Sequence, residues 1–207
     1  MKNIFIKPIF LSILSIGLFT SCVNDDEFAI PKIVPVYFSE EFDDIDFNQD
    51  FDYEGWTNFA EAGSKVWIER DFTSNGETEG YVQFSSFQSG EASNIGWLVT
   101  PAINIGSAGD AGLSFSSASN FVTSPDNKLE VFISSDYDGT DVVGPTWIKL
   151  DAKVADSTTN KYTYIPSGLI DLSSYSGNIH IAFKVTGNST NLTGLFQVDK
   201  IKVFSLN

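Results

Sequence analysis

The chain has 207 residues, 42% of them hydrophobic and 14% aromatic, and carries a formal net charge of −15 with a single cysteine and a single histidine. That charge disfavours nucleic acid and anionic membrane surfaces as partners, because both are held by clustered lysine and arginine. One cysteine leaves no internal disulfide, and one cysteine with one histidine excludes zinc centres built on those ligands.

Residues 1–21 read as a targeting segment. Lys2 and Lys7 form a short basic start, and the apolar run from Ile9 to Phe19 is too short for a membrane span of about 20 residues. Ser21 directly before Cys22 resembles a bacterial lipobox, which implies that Cys22 is lipidated and serves as an anchor rather than a nucleophile. Asp25-Asp26-Glu27, just behind it, resembles the export signal of Bacteroidota-type lipoproteins. That resemblance implies an outer-membrane protein held on the cell surface. Loss of the leader removes two lysines and no acid, so −15 becomes −17. Residues 22–35, with Pro31 and Pro35, read as an acidic and then extended tether. Residues 36–207 fit one domain.

Within that domain the pattern is of strands and turns. Val36 to Phe42, Tyr81-Val82-Gln83-Phe84, Leu113-Ser114-Phe115, Leu129 to Ile133 and Trp147 to Leu150 are short apolar runs between glycine, proline and asparagine turns. Ile179 to Val185 alternates cleanly, apolar at every odd position. Short strands at near-regular spacing predict an all-β fold, an antiparallel β-sandwich. The stretch from Gly168 to Tyr175 reads as a loop.

The last strand carries an anomaly. Strand side chains alternate between faces, so Asp199 falls in phase with Ile201 and Val203, while Lys200 and Lys202 point the other way. Glu40 is likewise in phase with Val36, Phe38 and Phe42. Two unpaired carboxylates near a core would cost several kcal/mol or be forced neutral. A hard cation with oxygen ligands relieves this, and calcium accepts six to eight irregularly placed oxygens. A bulge at Asp199-Lys200 would instead reset the phase.

In order along the chain, Ser39-Glu40-Glu41-Phe42, Glu54-Gly55-Trp56, Gly96-Trp97-Leu98-Val99-Thr100-Pro101, Leu129 to Ser134, Ile181 to Lys184 and Val198-Asp199-Lys200-Ile201 resemble the choice-of-anchor J family and the related cleaved adhesin domains, which are MAM-like jelly rolls. The resemblance implies a jelly-roll sandwich serving as an extracellular, non-catalytic module. It also implies a structural Ca2+ on Glu40 and Asp199, with Asp43 as a further ligand. The expectation is therefore glycan or adhesion-type recognition. A structural or accessory subunit of an outer-membrane complex is the alternative, and a glycoside hydrolase a third reading.

Loop tyrosines Tyr137, Tyr162 and Tyr175 are the candidates for a sugar-stacking platform, since an aromatic face stacks on a pyranose ring. Trp56, Trp67, Trp97 and Trp147 lie in strand-like or packing positions and are expected in cores. Asp136 to Asp141 alternates acids like the start of a calcium loop but lacks the spaced terminal glutamate, and reads as a solvated hairpin loop. Catalysis finds little support. His180 is the lone histidine, no Gly-x-Ser-x-Gly occurs, and no strand face gathers the glutamate–aspartate set of a sandwich glycosidase.

Overall fold

The computed structural model describes residues 34–107 and 110–207. The leader, Cys22 and almost all of the tether therefore lie outside the described residues. Every regular element among the described residues is a strand, and no helix there is long and apolar enough to cross a membrane.

Thirteen strands form an antiparallel β-sandwich: β1 Val36–Glu40, β2 Thr57–Ala62, β3 Ile68–Ser74, β4 Glu77–Ser85, β5 Asn94–Val99, β6 Ile103–Asn104, β7 Ala111–Asn120, β8 Lys128–Ser134, β9 Ile148–Lys149, β10 Ile165–Pro166, β11 Ile170–Asp171, β12 Asn178–Gly187 and β13 Leu195–Ser205. One sheet runs β10-β7-β13-β4-β3, with β1 against β13 and β11 against β7. The other runs β2-β5-β12-β8-β9, with β6 against β12. The chain crosses repeatedly between the two sheets, as from β4 to β5, β7 to β8 and β12 to β13.

The core lies where the two inner faces meet. Val82, Phe84, Leu113, Phe115, Phe196, Val198, Ile201 and Val203 of the first sheet face Leu98, Leu129, Val131, Ile133, Ile181, Phe183 and Val185 of the second, and all are buried. Phe115 and Phe183 meet edge to face across the sandwich with centroids 5.1 Å apart. The odd-numbered apolar positions of β12 supply one wall, as alternation requires.

The two outer faces differ. The loop between β8 and β9 folds back over the second sheet. There Tyr137, Val142 and Trp147 cover Trp97, Val99 and Ala182 as a small second core. The acids in this loop serve its turns. Asp136 accepts from Ser134 Oγ and Thr146 N, Asp138 from Thr140 N and Asp141 from Val143 N. Among the described residues no comparable second core covers the outer face of the first sheet.

Gly96 on β5 makes room for a ring from the facing sheet, because a Cβ there would overlap Phe84. Gly96→Ala must displace a fully buried phenylalanine, so it is expected to destabilise the fold by about 1–3 kcal/mol in urea denaturation, with an unchanged m-value.

Candidate functional site

The open face belongs to the sheet organised on β13, and the conformation of that strand decides what lines it. In the pairing with β7, Asp199 sits opposite Ser116 but Lys202 opposite Ser114, so β13 carries one extra residue between them. Lys200 takes up the excess at φ +55°, the left-handed region that a side chain with a Cβ seldom adopts. The core phase changes across this bulge. Phe196 and Val198 face inward before it, Ile201 and Val203 after it. Asp199 therefore shares the outer face with Leu195 and Gln197.

This corrects the expected placement of Asp199. Strict alternation puts it on the core side beside Glu40, but the bulge turns it to the opposite face of the sheet. Glu40 pairs with Ile201 and keeps the inward phase, its Oε1 accepting from Phe42 N at 2.8 Å. Burial raises the Glu40 carboxyl, with Asp43 and Asp44 as the neighbouring negative charges. The acids that bear on Asp199 are Glu79 and Glu41. Glu40 and Asp199, expected to share a calcium ion with Asp43, thus lie on different faces of the sheet. Among the described residues no group of three aspartate, glutamate, histidine or cysteine side chains is arranged to hold a metal.

The outer face of the first sheet forms a groove along the strands. Its middle is a rung of paired amides: Gln83 and Gln197 are register partners, and Gln197 Nε2 donates to Gln83 Oε1 at 3.1 Å. At one end a hollow of about 500 Å³ is lined by Val66, Ile68, Ser85, Leu195 and the rings of Phe87 and Phe121. At the other, a hollow of about 280 Å³ is walled by Phe72, Tyr81, Tyr162 and Tyr164, with Glu79 and Asp199 as its acids. Tyr81 and Tyr164 stand edge to face, centroids 6.3 Å apart.

Several of these aromatics are held outward against local preference. Phe72, Phe87, Phe121 and Tyr162 are each more than half exposed. Phe121 and Tyr162 also have φ of +59° and +57°. Bulky residues in this region carry strain of order 1–3 kcal/mol, which persists where the surroundings impose it and clusters at functional positions. Asn120 Oδ1 accepts from Phe121 N at 2.8 Å, and Tyr162 N donates to Ser119 O at 3.0 Å, so both backbones are fixed. Lys161 Nζ lies 5.8 Å from the Phe121 ring centre.

Of the three loop tyrosines, Tyr162 alone lines this groove. Tyr137 is buried on the other face of the sandwich, its hydroxyl donating to Thr57 Oγ1 at 2.9 Å and its ring against His180. It belongs to the loop's own small core because that loop turns back onto its sheet. Tyr175 is partly buried and packs against the main core. Neither offers a free ring. His180 is buried beside Thr100 O, at 2.8 Å, and its register partner Ser134 is itself buried, with its hydroxyl donating to Asp136. Trp67 is fully buried, Trp56 packs on the core, and Trp97 and Trp147 stack in the second cluster. The sequence reading missed Phe72, Phe87, Phe121 and Tyr164. Phe87 and Phe121 carried a signal nonetheless, since each is an aromatic residue set among serine, glycine or asparagine in a turn.

Burial raises the Asp199 carboxyl from its ordinary 3.8 to about 6, partly offset by the Lys200 N–H at 2.6 Å from Oδ1. Burial, and then the Asp199 charge, raises the Tyr164 hydroxyl.

A family model described as "Domain of unknown function (DUF5017)" matches residues 78–207, more than half of the chain and every strand from β4 on apart from its first residue. The chain belongs to this family. No curated protein matches it in sequence. In structure, this DUF5017 protein is similar to the K2 cleaved adhesin domain of Lys-gingipain, at 18% identity over 81% of this chain and 98% of that one, with a TM-score of 0.55. It is also similar to the second CBM22 xylan-binding domain of Xyn10C from Paenibacillus barcinonensis, at 13% identity over 82% and 99% of the chains, TM-score 0.50. The tandem CBM22 pair of the same protein matches at 12% identity over 86% and 48%, TM-score 0.51. At these identities the likeness is one of fold, and it agrees with the sandwich and with the resemblance to cleaved adhesin domains.

Two outcomes follow from the Asp199 geometry. A carboxyl raised by folding makes the native state bind more protons than the unfolded chain between pH 3.8 and about 6. Stability therefore falls as pH rises through that window. Asp199→Asn is expected to raise stability by about 2–3 kcal/mol at about pH 7.5, and to change it little below about pH 4. Thermal unfolding at both pH values checks this. Unfolding in calcium against chelator is expected to coincide, whereas saturation of a structural site a hundredfold above its Kd would stabilise by about 2.7 kcal/mol.

Proposed function

We propose that this DUF5017 protein is a lipid-anchored, surface-exposed, non-catalytic module that binds glycan along the groove on the outer face of its first sheet. The observation that carries the reading is the pair Phe121 and Tyr162, exposed aromatic rings held at positive φ on opposite ends of a groove with an amide floor. Solvated rings give no folding benefit that would offset their strain, and flat rings beside amide donors and acceptors suit the apolar faces and hydroxyl edges of pyranose rings. Successive outward residues of a strand lie about 7 Å apart. The run Leu195, Gln197, Asp199 therefore offers room for more than one sugar.

The adhesin and xylan-binding descriptions of the structural neighbours support a binding role, and the lipobox at Cys22 with the acidic residues behind it supports the address. The choice-of-anchor J resemblance belongs to the same proposal. Calcium does not form part of it. His180 and its register partner Ser134 are both buried beneath the loop that closes the second sheet, which supports a module without catalysis.

The test is retention of the full-length protein in affinity gels cast with soluble polysaccharides. Phe121→Gly and Tyr162→Gly relieve backbone strain, so each is expected to keep or raise the melting temperature while retention falls at least about tenfold. Unchanged retention in both variants would remove the groove from the account. Copurification with an outer-membrane complex and no glycan retention would favour the accessory-subunit reading.

A further inference from the structure

The two ends of the groove differ in chemistry. The Phe87–Phe121 end is apolar and carries Lys65 and Lys161 near its rings. The opposite end joins aromatic walls to buried negative charge. Asp199 is 5% exposed, yet only one of its carboxylate oxygens has a hydrogen bond, Oδ1 to its neighbour's N–H. Oδ2 has the Lys200 ammonium at 3.9 Å and no hydrogen-bond donor. A nine-tenths buried carboxylate with an open oxygen borders a hollow walled by Phe72, Tyr81, Tyr162 and Tyr164.

The charges around this hollow sum to negative. Glu79 lines it, Glu41 bears on Asp199 from the chain leaving β1, and Lys200 is the cation in contact with these acids. Arg70, the register partner of Tyr81 on the same face, is turned to Asn48 and Phe47. Lys200 is half exposed and sits 3.6 Å from Glu79 Oε2. The acids already draw one ammonium from outside, and they outnumber it.

A carboxylate oxygen facing aromatic faces is the chemistry that recognises a cation. A quaternary ammonium needs only the rings. A primary ammonium carries three N–H donors and needs acceptors as well, and this hollow supplies Asp199 Oδ2, Glu79 and tyrosine hydroxyls. The amide rung adjoins it, placing donors and acceptors for sugar hydroxyls beside the charged end.

We propose that the Asp199 end of the groove binds the protonated amine of an unacetylated amino sugar, held by the Asp199 carboxylate between the Tyr81, Tyr162 and Tyr164 rings. The assignment rests on the glycan reading of the groove and narrows it to cationic glycans. The strongly acidic surface draws such polymers in at long range.

The experiment measures binding of the full-length protein to a fully deacetylated β-1,4-glucosamine oligomer, its N-acetylated counterpart, and choline, at about pH 7 and moderate salt. Wild type, Asp199→Asn and Phe121→Gly are compared. The expected result is binding of the deacetylated oligomer, weakened on the order of ten- to a hundredfold by acetylation and similarly by Asp199→Asn, as loss of a charged hydrogen bond implies. Asp199→Asn keeps the acceptor for the Lys200 N–H and is expected to remain folded, which its thermal transition verifies. Equal binding of both oligomers, insensitive to Asp199→Asn but lost in Phe121→Gly, would overturn the amine assignment and leave the groove reading standing. Binding of choline alone would overturn the amino-sugar assignment in favour of a quaternary headgroup. No binding of any probe, together with no polysaccharide retention by the wild type, would overturn both.

Discussion

One extra residue in β13 governs this structure. The strand occupies the middle of its sheet, with β7 along one side. On the other side it pairs first with β4, over Leu195 to Val198, and then with β1, over Ile201 to Phe204. The bulge falls where one partner gives way to the other. A bulge bends its strand and sharpens the local twist, and here it also exchanges the faces of everything beyond it. Lys200 takes the unfavourable backbone conformation, and the core receives Phe196 and Val198 on one side of the bulge and Ile201 and Val203 on the other without a gap. The consequence is that an aspartate flanked by core residues in sequence lies on the opposite face in space.

The second governing feature is the asymmetry of the outer faces. A sandwich has two, and this chain uses one of its own loops to close the second sheet. Lys184 there lies 4.5 Å from the Trp97 ring centre and pairs with Glu61, whose other contact is the Trp97 indole N–H. That face is satisfied internally. The first sheet keeps its outer face open, and on it the polar groups are only partly paired and the rings are turned outward. Burial of Asp199 without a full set of partners lowers stability, and strained aromatics add to that cost. Such local losses, concentrated along one groove, are the physical mark of a surface shaped for a ligand.

Much of the fold was legible because alternation reports burial directly. Ile179 to Val185 faces the core as its period requires, and the strands around Tyr81, Leu113 and Leu129 fall where apolar runs and turns place them. Trp56 and Trp67 are core residues, as their settings imply. The site was less legible for two reasons. Alternation assumes an unbroken strand, and nothing in Val198-Asp199-Lys200-Ile201 compels Lys200 to φ +55° rather than a regular extended geometry. The choice depends on β1 and β4 competing for the same edge, a contact distant in sequence. Loop tyrosines posed the second difficulty. Tyr137, Tyr162 and Tyr175 look alike in sequence, but the loop bearing Tyr137 returns to its sheet, Tyr175 meets the core, and only Tyr162 is directed over the open face.

Asp199 lies on the groove side of its sheet, away from Glu40. The most direct measurement is the set of proton–proton Overhauser contacts from the Asp199 β-protons in the folded protein. Contacts to the Tyr81 and Tyr164 rings are expected, and none to the side chains of Glu40 or Val203. Contacts to Glu40 or Val203, with none to the tyrosine rings, would show an unbroken strand and contradict it.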